Sequence, residues 1–189
     1  YTLFRHDRTK SKGGGICVYV NCAFTVHQMP ENARGNKFEM IWLRVETRNR
    51  MNFVLCCLYH PPTSSFTPYS AQDLTAEIDS VLHACSSRYP DDYFVITGDL
   101  DSLNLNNIAT DHGLSQIVDK ATHGHNILDK FFTNRPDLFG FNLVIPAIKT
   151  KHRAVLVNCC DATPVQRNCS HPKRTSHYYD LREPNMLKL

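Results

Sequence analysis

The sequence predicts a mixed α/β domain dominated by strands, with two sheets packed together and helices outside them. Three observations carry this. Short apolar, β-branched runs recur between turn clusters rich in proline, glycine and asparagine. One of them, "FVLCCLYH" (53–60), is apolar throughout, the mark of a strand covered on both faces. A single long stretch of helical periodicity then passes through the turn "PDD" directly into "YFVITGD", giving a helix-to-strand crossover.

In chain order, "GGICVYV" (14–20) is a strand entered from a flexible glycine loop, and "FEMIWLRVET" (38–47) is an alternating strand closed by the polar turn "RNRMN". The 53–60 strand ends at "HPPTSS", because proline cannot continue a sheet ladder. In "SAQDLTAEIDSVLHACSSRY", Leu74, Ile78, Val81, Leu82 and Cys85 recur at helical spacing, with Ser70 placed to cap the first turn. In "YFVITGDLDS" the apolar run should break at Gly98 and deliver Asp99 and Asp101 into a loop. "ILDKFFTN" (127–134), "FNLVIPAI" (141–148) and "RAVLVNCC" (153–160) complete the strands. The domain is expected over 1–160. From Asp161 to Leu189 the composition turns polar and basic and reads as a linker leading out of it.

Composition narrows the classes. The hydrophobic fraction of 42% and ten prolines fit a soluble globular chain with many turns, and no apolar run is long enough for a bilayer-spanning helix. The net charge of +3 permits a polyanion partner without demanding one. Eight cysteines include two adjacent pairs, Cys56–Cys57 and Cys159–Cys160, and no Cys-x-x-Cys; buried free thiols in a reducing compartment are favoured over disulfides or zinc. "THGHN" (122–126) comes nearest to metal-ligand spacing among the ten histidines, and a loop is the expected reading. The first residue, Tyr1, is not the start of a secretory signal, and the absent initiator Met suggests that the chain begins elsewhere.

Candidate chemistry lies at strand ends, where a rigid frame holds polar side chains. Tyr59 follows "FVLCCL", Asp99 and Asp101 follow "YFVIT", Asp129 sits in "NILDKF", and His152 precedes "RAVLV". Each has a bland explanation alone. Together they suit phosphodiester hydrolysis: carboxylates bind Mg²⁺ and orient water, a histidine held by a carboxylate moves a proton or stabilises charge, and a tyrosine hydroxyl donates to a phosphate oxygen.

The order and context of these pieces resemble the endonuclease domain of non-LTR retrotransposons, within the apurinic-endonuclease-like endonuclease/exonuclease/phosphatase superfamily. The pieces are "FRHDRTKSKGGGICVYV", "FEMIWLRV", "LCCLYHPP", "YFVITGDLDSL", "LSQIVDKATHGHNILDKFFTN" and "IKTKHRAVLV"; the tail "RTSHYYDLREPNMLKL" resembles the connector to a reverse transcriptase. The resemblance implies a four-layer α/β/β/α sandwich and a monomeric, Mg²⁺-dependent enzyme that nicks DNA. It also implies an intracellular, and in action nuclear, location and a reverse transcriptase domain in the parent element. By position it implies that Asp99 orients the attacking water, Tyr59 is the active-site tyrosine, and Asp129 pairs with the catalytic His152. It makes the basic loop carrying Arg5, Arg8, Lys10 and Lys12 a contact for the DNA backbone.

Three departures qualify that picture. Asp101 stands where the family pattern has asparagine, so a repelling carboxylate replaces an amide donor. Lys151 replaces an acid in the family's Ser-Asp-His, which raises the idea of a compensating Lys151–Asp101 pair. The family's opening asparagine strand, helix and glutamate strand are matched by no segment of this chain. That predicts a sandwich lacking its first strands and helix, with an exposed sheet edge and without the family's main metal ligand. The expectation is a DNA endonuclease with impaired activity. The alternatives are an inactive remnant with weak nucleic-acid or protein binding, and another phosphoesterase of the superfamily.

Overall fold

The computed structural model describes residues 1–8, 14–29, 37–47, 51–62, 69–145 and 149–159. Its centre is a six-stranded sheet of order β3-β4-β5-β6-β8-β7, formed by β3 (Thr25–Gln28), β4 (Met40–Glu46), β5 (Phe53–Tyr59), β6 (Tyr93–Asp99), β7 (Ser115–Gln116) and β8 (Asp129–Thr133). Two antiparallel hairpins stand apart from it: β1 (Thr2–His6) with β2 (Ile16–Val20), and β9 (Phe139–Val144) with β10 (Ala154–Cys159). Helices α1 (Ala71–Arg88) and α2 (Asn106–Asp111) complete the elements that build the core.

The two-residue period of the strands sorts the side chains between two cores. Trp42, Val54, Cys56, Leu58, Phe94 and Ile96 point to one face, where Leu74, Ile78, Val81, Leu82 and Cys85 of α1 cover them. The intervening residues point the other way. Ile41 and Leu43 pack beneath Phe4, Ile16 and Val18 of the first hairpin. Phe53, Val95 and Phe131 pack beneath Phe139, Phe141, Val155 and Val157 of the second. Each fully buried aliphatic or aromatic side chain contributes roughly 1.5–3 kcal/mol, so α1 is held by its apolar stripe. Its first turn is closed by a reciprocal cap, in which Asp73 N–H donates to Ser70 Oγ at 3.1 Å and Ser70 N–H to Asp73 Oδ2 at 3.0 Å.

The expected strands are present, as are the α1 stripe with its Ser70 cap and the double cover of β5. β5 and β6 pair in parallel across the α1 crossover. Several local expectations need correction. Arg5 and His6, read as the start of a basic loop, belong to β1, where Leu3, Phe4 and Arg5 pair with Tyr19, Val18 and Cys17. The run at 93 does not break at Gly98: the strand continues to Asp99, and only Asp101 lies in the turn, at φ 42°. The six described cysteines are free as expected, yet only Cys56 and Cys85 are buried and Cys17 is exposed. Cys57 is half-buried, and desolvation raises its thiol to about 12. The hairpins share no hydrogen-bonded ladder with each other or with the large sheet, and no helix covers them among the described residues. Lys10, Lys12 and the 161–189 segment lie outside the described residues.

Candidate active site

Sheet register assembles the site. Tyr59 is the partner of Asp99 across β5 and β6, and Asp99 is the partner of Asp129 across β6 and β8. Three side chains distant in sequence therefore sit at one level of three neighbouring strands, about 4.8 Å apart from strand to strand. They share the parity of Phe53, Val95 and Phe131, which places them on the face that carries the hairpins.

His152 reaches this row through the loop before β8. Thr122, 1% exposed, accepts hydrogen bonds at its Oγ1 from Leu128 N–H and Asp129 N–H, both at 3.0 Å. His123 and Asn126 exchange backbone hydrogen bonds of 3.0 and 2.9 Å around Gly124, whose φ of 58° suits glycine. The same loop captures the segment before β10. Arg153 N–H donates to Thr122 O at 2.7 Å, and the His123 and His152 rings lie 4.6 Å apart. In this setting His152 Nδ1 lies 2.8 Å from Asp129 Oδ2. A carboxylate there only accepts, so the proton sits on Nδ1 and Nε2 is left to face a ligand. The ligand atoms of Asp99, Asp129 and His152 all fall within 4.8 Å of one another.

Tyr59, Asp99, Asp129 and His152 are all half-buried, and this sets the electrostatics of the row. Burial, then the charge of Asp129, pushes the Asp99 carboxyl above its ordinary value, against a smaller opposing pull from His152. Tyr59 is raised chiefly by burial and then by Asp99, so its hydroxyl keeps its proton and remains a donor. His60, 5% exposed and with Nδ1 unpartnered, is held below the usual histidine range by burial. Its N–H donates to Asp99 O at 2.8 Å and fixes the end of β6.

A native carboxyl that holds its proton to higher pH than the unfolded chain loses stability as pH rises from about 3.9 to the native value, and the penalty is constant above it. Asp99→Asn removes that penalty. In EDTA the variant should melt above the wild type at pH 7, and the gap should close as pH falls towards the unfolded-chain value. Thermal melts across pH test this; a gap independent of pH would refute it.

Other expected residues are placed differently. Asp101 accepts from Ser102 Oγ at 3.2 Å, and the cation beside it is Lys130, not Lys151. Lys130 Nζ donates to the carbonyls of Asp101 and Leu103, both at 3.2 Å, and pins the turn. Lys151 is exposed and forms no salt bridge with Asp101, so the compensating pair is absent. Arg5 is spent on Asp7 at 2.6 Å. Arg8 is bound by Glu39, whose other oxygen accepts Gly15 N–H at 2.5 Å, and its guanidinium lies 5.7 Å from the Tyr59 ring centroid. Sequence reasoning missed Thr122, His123, Glu39 and Lys130. The glycine in "THGHN" was the available signal for a tight, structured turn.

Mg²⁺ usually takes one or two carboxylates and keeps waters or phosphate oxygens for its remaining positions. Asp99 and Asp129 provide that oxygen pair, and the cluster fits such an ion.

The large sheet, with α1 on one face and the two hairpins on the other, has a counterpart among solved structures. The chain is similar to a truncated Caenorhabditis elegans TDP2, at 14% identity over 82% of this chain and 73% of that one, with a TM-score of 0.55. It is also similar to TDP2 from C. elegans at 14% identity, where 82% of this chain spans 56% of that one with a TM-score of 0.51. At this identity the likeness establishes the fold. No protein-family model and no curated protein matches the chain.

Proposed function

We propose that the chain is a DNA phosphodiesterase domain of the retrotransposon endonuclease type, monomeric, working in the nucleus in an element that also encodes a reverse transcriptase. The observation that carries this is the register of Tyr59, Asp99 and Asp129 on adjacent strands, with His152 held 2.8 Å from Asp129.

In this reading Asp99 orients the attacking water and accepts its proton. Asp129 fixes the His152 imidazole, and Nε2 faces the scissile phosphate, where its protonated form donates to a phosphoryl oxygen. The Tyr59 hydroxyl donates to a second oxygen. Mg²⁺, when bound by Asp99 and Asp129, would supply charge neutralisation for the phosphoryl group.

Asp101 favours a second reading, a weak or inactive relic. It is part-exposed, and its carboxylate presents an acceptor and a negative charge where the related endonucleases have an amide donor. Restoring the donor separates the two. Asp101→Asn should raise Mg²⁺-dependent nicking of supercoiled plasmid by about tenfold or more, a size usual for one oriented donor. Asp99→Ala should abolish nicking in both backgrounds. Folded protein that leaves plasmid intact in Mg²⁺ and Mn²⁺, with and without Asp101→Asn, establishes the relic.

A further inference from the structure

On the opposite face of the large sheet, away from the residues discussed above, α1 and α2 bring a second group of ligand-type side chains together. Asp79 and His83 lie one turn apart on α1, so both project from the same side of the helix. His112 closes the group from the C-terminal cap of α2. Its Nε2 lies 2.8 Å from Asp79 Oδ1, and His83 Nδ1 lies 3.4 Å from the same oxygen. The imidazoles meet edge to face with centroids 4.6 Å apart, and one ligand atom from each residue falls within 4.8 Å of the others.

We propose that Asp79, His83 and His112 form a binding site for a borderline transition-metal ion such as Zn²⁺, distinct from the Asp99–Asp129–His152 cluster. The donor set is the argument: two imidazoles and one carboxylate suit zinc, whereas Mg²⁺ prefers oxygen alone. Tetrahedral zinc with bonds of roughly 2.0–2.1 Å separates its ligand atoms by about 3.3 Å, somewhat more than the 2.8 Å between His112 Nε2 and Asp79 Oδ1 and within the 4.8 Å that spans the three ligand atoms. Small side-chain movements suffice. The Asp79 carbonyl, 3.0 Å from His83 Nδ1, can only accept, which puts a proton on Nδ1 and leaves the His83 Nε2 lone pair for a metal. At His112 the ion takes the place of the Nε2 proton now shared with Asp79. The accessibilities fit: the His112 side chain is 7% exposed and rigidly held, while His83, at 68%, sits at the mouth and can close over an incoming ion. Three protein ligands leave the fourth position to water, and the ion ties α1 to α2.

The test is isothermal titration of the whole chain with Zn²⁺ in excess Mg²⁺, paired with the Co²⁺ absorption spectrum. One saturable site is expected, lost in His83→Ala and in Asp79→Asn and retained in His152→Ala. His83 is exposed, so His83→Ala should fold as the wild type does, and Zn²⁺ should raise the melting temperature of the wild type but not of that variant. Binding that survives His83→Ala and Asp79→Asn, binding that disappears with His152→Ala, a thiolate-to-cobalt charge-transfer band, or no saturable binding would each overturn the proposal.

Discussion

Asp129→Asn is expected to lower plasmid nicking by roughly 10²–10⁴-fold while leaving the fold and DNA affinity nearly unchanged. The reason is directional. Asp129 Oδ2 accepts from His152 Nδ1 at 2.8 Å, which selects one tautomer and one ring orientation. Asparagine is nearly isosteric but can present an NH₂ to Nδ1. That contact demands the opposite tautomer and ring protonation pattern, and the substitution removes the anion that stabilises the imidazolium whose Nε2–H donates to the phosphoryl oxygen. The backbone supports of the site do not involve the carboxylate. Thr122 Oγ1 still receives Leu128 and Asp129 N–H, and Arg153 N–H still reaches Thr122 O. Single-turnover nicking, DNA binding and thermal melts separate the effects. A loss below about tenfold, or a parallel collapse of binding or folding, would remove the Asp129–His152 pair from the mechanism.

The fold was legible wherever one physical signal dominated. The α1 stripe has five apolar positions and a capping serine, and all five are buried. β5 is apolar on both sides because α1 lies on one face and the hairpins on the other. β1 was hidden by its charges: Arg5 and His6 read as a loop, yet half-buried Phe4 and His6 alternate with exposed Leu3 and Arg5 along a hairpin strand. β3 carries Thr25, Val26, His27 and Gln28, too short and too polar to stand out; it is a strand because β4 offers it a ladder.

The site divides in the same way. Asp99 and Asp129 were visible as acids at strand ends, but their proximity depends on register, which no single strand encodes. The loop 122–126 was read as a loop and is one. Its role in joining Asp129 to His152 comes from Thr122 burial and from backbone bonds to Arg153, 31 residues on, which local sequence cannot reveal. The idea of a Lys151–Asp101 pair rested on charge matching alone. Lys130, on β8 beside the turn, holds that place because its Nζ finds two carbonyls there.

Gly98→Ala is expected to be the most damaging glycine-to-alanine change among the described residues. Gly98 pairs with Leu58 at the centre of the large sheet and has φ 144°, a backbone region L-residues rarely enter. A Cβ built there would lie 1.8 Å from Leu58 O, well inside contact distance, and the obstacle is backbone, so no rotamer change relieves it. Relief requires β5 and β6 to separate, which breaks ladder bonds on both sides and opens the core beneath Leu58 and Ile96, both essentially buried. The expected cost exceeds about 4 kcal/mol, comparable with the whole stability of many domains. Gly113→Ala is the control: its φ is 63°, and an added Cβ meets nothing within 4 Å, so only the left-handed penalty of about 1–2 kcal/mol applies. Urea denaturation of both variants measures the difference. The same close approach keeps Tyr59 opposite Asp99, and His60 N–H bonded to Asp99 O. A Gly98→Ala protein recovered in folded form should therefore have lost its nicking activity, and one that melts and nicks like the wild type would show that β5 and β6 do not need this contact to align the site.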